Sequence, residues 1–213
     1  MSLLLNTRMA AVLGAAVLAL AMPPLSGPAW TQEAPTVEKR RPPPPSLPRT
    51  PAERDRTLSD LYALLATAED EKDAKAVGES IERIWLHSGS PTVDLLFGRA
   101  MQAVVEKDFD RALTMLDHAL EQAPDFTEGW NRRAFVHFQM KEVTLALGDL
   151  RRALALDPNH FKALDGLAQI LRDIGENRAA LAVLRRLHDV HPYWAGAEQA
   201  IEELSREVEG QGI

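Results

Sequence analysis

Residues 127–160 read TEGWNRRAFVHFQMKEVTLALGDLRRALALDPNH, and residues 161–194 read FKALDGLAQILRDIGENRAALAVLRRLHDVHPYW. Set one beneath the other, they share an alanine at the eighth place (Ala134, Ala168) and another at the twentieth (Ala146, Ala180). A leucine recurs at the twenty-fourth (Leu150, Leu184) and a proline at the thirty-second (Pro158, Pro192). Residues 93–126 carry the same register upstream through Ala100, Ala112, Leu116 and Pro124, so the three prolines stand 34 residues apart. A fixed period of this length marks a stack of like units, each too small to bury its apolar side alone. Within a unit, the two small residues let a pair of antiparallel helices approach closely, and the leucine fills the space between them. The proline, lacking an N–H, ends the second helix.

Start signals agree with this division. Ser90 before Pro91 reads as an N-cap and first-turn proline, and Asp125 with Glu128 reads as a capping box. Aromatic residues make up 6% of the chain, hydrophobic residues 46% and charged residues 26%. A second half rich in Ala, Leu, Arg and Glu favours helix over strand. The expected fold is all-α.

The pattern resembles the tetratricopeptide repeat family, which asks for Trp at four, Leu at seven, Gly or Ala at eight, Tyr at eleven, Ala at twenty, a Phe-like residue at twenty-four, Ala at twenty-seven and Pro at thirty-two. Trp130, Ala134, Ala146, Leu150, Ala153 and Pro158 fit it in 127–160, and Leu164, Leu167, Ala168, Gly175, Ala180, Leu184 and Pro192 in 161–194. Leu96, Ala100, Phe109, Ala112, Leu116, Ala119 and Pro124 fit it in 93–126. Arg99 and Arg133 stand where Leu is usual, and Ala103 and His137 where Tyr is usual, which predicts looser packing in those two units. The resemblance implies an α-solenoid of helix pairs that holds another polypeptide.

On either side the register changes. Residues 58–92 alternate two helical patterns (Leu61, Leu64, Leu65, Ala68, then Val77, Ile81, Ile84, Trp85) and read as a degenerate repeat that begins the stack. Residues 195–208 read as an amphipathic capping helix with Ile201 and Leu204 inward and Glu198, Glu202 and Glu203 outward. The repeat domain thus spans 58–208, with about nine helices from about residue 55 onward.

The N-terminus reads differently. Arg8 precedes Met9–Met22, which carries no charge, and then come Pro23, Pro24, Gly27 and Ala29. Fourteen apolar residues suit a secretory h-region and fall short of the roughly 20 that a spanning helix needs. Residues 1–29 are therefore expected to be a cleaved signal peptide, placing the protein in the periplasm or outside the cell with no span in the mature chain. An uncleaved N-terminal membrane anchor is the alternative. Residues 30–57, with Pro35, Pro42 to Pro45, Pro48 and Pro51, read as a basic polyproline II linker.

The chemistry is narrowed mostly by what is missing. No cysteine occurs, which removes thiolate catalysis, disulfides and Cys-based zinc. From residue 59 onward there are 17 Lys and Arg against 27 Asp and Glu, a net of −10, the wrong sign for holding a phosphate backbone. No phosphate-binding, nucleophile-elbow or zinc-protease motif is present. His188 and His191 stand three apart, which admits a metal-dependent enzyme, but as cations in the last turn of a helix before Pro192 they read as structural. No catalytic residue, metal ligand or cofactor is assigned.

The resemblance places the first helix of each repeat on a concave face, with positions five, nine and twelve exposed along it. These are Phe97, Met101 and Val104, then Asn131, Phe135 and Phe138, then Asp165, Gln169 and Arg172. Relatives that clamp a C-terminal carboxylate use Lys, Asn and Arg on this stripe, and Asp165 and Gln169 do not suit that role. The expected groove (Phe97, Met101, Val104, Asn131, Phe135, Phe138, Gln169, Arg172) takes an apolar polypeptide. Burying a Phe contributes roughly 1.5–3 kcal/mol, so such rings call for a cover. Either a foreign polypeptide or the proline-rich segment, which could reach roughly 85 Å, would serve. An obligate subunit of an envelope or cofactor-assembly complex is the alternative to a free-standing scaffold.

Overall fold

The computed structural model describes residues 47–48 and 50–210, apart from the side chain of residue 209. The expected signal peptide and most of the proline-rich linker lie outside the described residues. Among those described are nine helices and no strand: α1 (Pro51–Ala66), α2 (Glu71–Trp85), α3 (Pro91–Val105), α4 (Phe109–Gln122), α5 (Thr127–Gln139), α6 (Val143–Leu156), α7 (Phe161–Asp173), α8 (Asn177–Val190) and α9 (Ala197–Gly210).

The repeat positions do what their size requires. Ala100, Ala134 and Ala168 are buried to within 1% exposure and Ala112, Ala146 and Ala180 completely, at the contacts α3–α4, α5–α6 and α7–α8. The helix pair of each of the three 34-residue repeats turns through a left-handed residue at the fifteenth position: Lys107 (φ 60°), Lys141 (φ 66°) and Gly175 (φ 81°). Only the last is a glycine, so the first two turns carry conformational strain. Successive units are tied by a repeated contact in which Arg152 donates to the Pro124 carbonyl and Arg186 to the Pro158 carbonyl.

The arginine standing for leucine in 127–160 does not loosen its unit. Arg133 forms a two-pronged ion pair with Asp149 at 2.7 and 2.8 Å, reaches Asp117 at 2.7 Å, and lies over the Trp130 ring at 4.6 Å. The guanidinium packs flat, and its donors are met by carboxylates.

The start signals need correction at two places. α5 is capped at Phe126 with no side-chain bond, because Glu128 turns inward to other partners and Asp125 stays outside. Pro51, read as linker, is the first-turn proline of α1, behind a Thr50–Glu53 capping box that satisfies two free N–H groups.

A larger departure concerns α1 and α2. They do form a helix pair, but it does not begin the stack on α3. It folds against the far repeat, α1 meeting α8. Leu58, Tyr62, Leu65, Ile81, Ile84 and Trp85 share one core with Phe161, Leu184, Leu187 and Leu204, whereas α3, α4 and Phe126 build a separate one. The cause is aromatic and polar complementarity at the turns between repeats. The Trp85 ring stacks on His160 with centroids 3.7 Å apart, and the Tyr62 hydroxyl donates to Asp157 at 2.5 Å. Lys162 pairs with Glu82 at 2.6 Å, and the Tyr193 hydroxyl donates to the Glu69 carbonyl at 2.8 Å. Burial, then Asp157, push the Tyr62 phenol pKa upward, so it stays a donor. Gly89, at φ +87°, helps the chain turn between α2 and α3.

Candidate peptide-binding groove

The groove lies between α5 and α7, the first helices of the second and third repeats. A cavity of about 330 Å³ opens there, with Asn131, Phe135 and Phe138 on one side and Asp165, Gly166 and Gln169 on the other. Phe135 is 44% exposed, while Phe138 is half-buried against the Ala134–Leu150 core with the Lys141 ammonium 5.8 Å from its ring.

Other expected groove residues lie elsewhere. Phe97 is 4% exposed and meets Phe126 edge to face at 5.1 Å, so it is core and not ligand surface. Met101 and Val104 are half-buried against the same core. Arg172 is drawn 4.0 Å from Glu203 of α9 and does not line the cavity. Asn131 reaches the cavity, but its amide donates to Glu128 at 2.9 Å and is already engaged.

What sequence reasoning missed is the thirty-fourth position of each repeat, occupied by Phe126, His160 and Trp194. Each ring lies just ahead of the next repeat and turns back onto the first helix of its own. Phe126 covers Phe97, His160 faces Glu128, and Trp194 lines one cavity with Asp165. A ring recurring every 34 residues was a legible signal, though outside the consensus positions. Arg132 and Lys162, which also line the cavity, were missed because their neighbours Glu128 and Glu82 could not be placed from sequence.

Electrostatics beside the cavity centre on Glu128, 1% exposed. Burial by itself would raise its pKa, yet the His160 ring, with Nε2 3.1 Å away, the Arg132 charge and the Asn131 amide hold it at about 2. The Ala163 N–H donates to His160 Nδ1 at 3.2 Å, so that nitrogen is bare and the proton sits on Nε2, 3.1 Å from Glu128. Asp165 has its pKa raised by burial, with the Trp194 indole opposing. A carboxylate ligand would meet Asp165 where a clamp needs a cation.

His188 and His191 do not converge with a third ligand. Among the described residues no group of three or more His, Asp or Glu is arranged to hold a metal. No described helix is long and apolar enough to cross a membrane.

Comparison with known proteins places this architecture. The family model of the tetratricopeptide repeat matches residues 127–160. A TPR repeat-containing protein of Rhizobium etli is 33% identical over 153 residues, 72% of this chain and 75% of that protein. The human SGT1 homolog is 31% identical over 77 residues, 36% of this chain and 21% of its own length. Among solved structures, the first TPR of Spaghetti (RPAP3), bound to the HSP90 peptide SRMEEVD, superposes with a TM-score of 0.53 at 18% identity, covering 56% of this chain and 95% of that one. The chain belongs to the tetratricopeptide repeat proteins.

Proposed function

We propose that this protein is an exported scaffold that holds an apolar segment of another polypeptide between α5 and α7. The observation that carries the reading is Phe135, a ring 44% exposed at the mouth of a cavity of about 330 Å³ on the face where the helices of neighbouring repeats meet. An exposed aromatic beside a concave, partly apolar space is the usual anchor of a binding surface. Asp165 and the engaged Asn131 disfavour a C-terminal carboxylate, so the ligand is held through side chains along its length. The export half of the proposal rests on Arg8 and the uncharged Met9–Met22 ahead of Gly27 and Ala29.

Two experiments test the two halves. A photoreactive phenylalanine analogue at 135 should give a polypeptide adduct in the living host, and the same analogue at 178, exposed on α8, should not. Equal labelling at both positions, or none at 135, contradicts the groove. Intact mass of the protein from its host should show about 29 residues lost, and full-length protein in the cytosol contradicts export.

A further inference from the structure

Because the first helix pair folds back onto the third repeat, it adds a wall beside the groove, and that wall is acidic. α2 turns Glu71, Lys75, Gly78, Glu79 and Glu82 toward a cavity of about 370 Å³, a spacing that keeps them on one helical face. Phe161, Tyr193 and Trp194 stand opposite. His191 lines the same space. It is 7% exposed, its Nδ1 has no hydrogen-bond partner, and its Nε2 points at Gly78, 3.7 Å from where a Cβ would stand. Burial lowers the pKa of this imidazole, which keeps the ring uncharged near neutrality and leaves it one acceptor nitrogen.

Carboxylates, aromatic rings and an uncharged imidazole are the surroundings of a cation. The carboxylates attract it directly, the rings of Tyr193 and Trp194 attract it through their quadrupoles, and the neutral His191 adds no opposing charge. Lys75 is the one basic residue in the lining, against three glutamates. The position relative to the groove also matters. Trp194 lines both cavities, and Glu82 of this wall is paired with Lys162 of the other.

We propose that this pocket receives a lysine or arginine side chain of the polypeptide whose apolar residues sit over Phe135. The inference rests on the groove reading and narrows its ligand to a segment that is both apolar and basic. A negatively charged folded domain, with 17 Lys and Arg against 27 Asp and Glu from residue 59, favours the same class of partner.

The test is selection of a random linear peptide library on the purified protein, followed by synthesis of the enriched peptides. Enriched peptides should carry Lys or Arg close to an apolar residue. Replacing that residue by glutamine should weaken binding to the wild type by roughly tenfold, and the difference should shrink with salt. In the Glu71→Gln, Glu79→Gln variant the two peptides should bind alike. The peptide-side comparison on the wild type stands even if that variant folds poorly. Enriched peptides that lack basic residues, or carry acidic ones, while still depending on Phe135 overturn the cation pocket and leave the groove. Enriched peptides indifferent to Phe135→Ala, or no enrichment at all, overturn both.

Discussion

Glu128→Gln removes a charge that is 1% exposed and wedged between the second repeat and the turn that begins the third. Its carboxyl is held at about 2 in the fold against an ordinary 4.5. At about 1.4 kcal/mol for each tenfold change in proton affinity, that displacement is worth about 3 kcal/mol. The folded value lies below the unfolded one. The contribution is therefore complete above about pH 4.5 and is lost as the pH falls toward about 2. Glutamine keeps the shape but not the charge, leaving one neutral amide oxygen for Arg132, Asn131 and His160 to share and turning an NH2 donor toward the others, and breaking such a buried pair costs about 3–5 kcal/mol. Urea unfolding followed by far-UV circular dichroism should show the variant about 3 kcal/mol less stable near neutrality, with the gap to wild type closing in acid. Equal stability near neutrality, or parallel curves through the acid range, would refute the view that Glu128 is a charged keystone.

Trp85→Ala should cost about 3–5 kcal/mol by removing the ring stacked on His160, and hydrogen exchange should rise in α1 and α2 well before α3 to α6. Uniform loss of protection would contradict the separate docking of that helix pair. Ala146→Leu or Ala180→Leu should overpack a completely buried contact by about 1–3 kcal/mol, against no more than about 0.5 kcal/mol for Arg178→Gln on the exposed face, ranked by thermal melts. Lys107→Gly, at φ 60°, should stabilise by about 0.5–1 kcal/mol, and destabilisation would remove the strain argument.

The repeat was legible because its determinants are local in sequence: Ala134 and Ala146 must be small wherever two helices touch, and the period of the prolines counts the units. The destination of α1 and α2 was not. Leu61, Ile81 and Trp85 announce an apolar face, but nothing in residues 58–92 says whether that face meets α3 or α8. The decision rests on pairs far apart in the chain, Trp85 with His160 and Tyr62 with Asp157. The cavity lining was legible in part. Phe135 and Gln169 stand at positions that the family resemblance placed on the concave face and do line the cavity, whereas Phe97 is taken from the surface by Phe126, a residue of the turn before the next repeat. Asn131 is likewise taken by Glu128, whose burial reverses the capping role its spacing implied.

The scaffold reading is tested most directly by the affinity of Phe135→Ala for peptides selected on the wild type, measured by fluorescence anisotropy beside a thermal melt of each protein. Truncating an exposed anchor should weaken binding by at least about tenfold, or about 1.4 kcal/mol, with the melt unchanged because the ring is outside the core. Unchanged affinity in a folded variant would contradict the account.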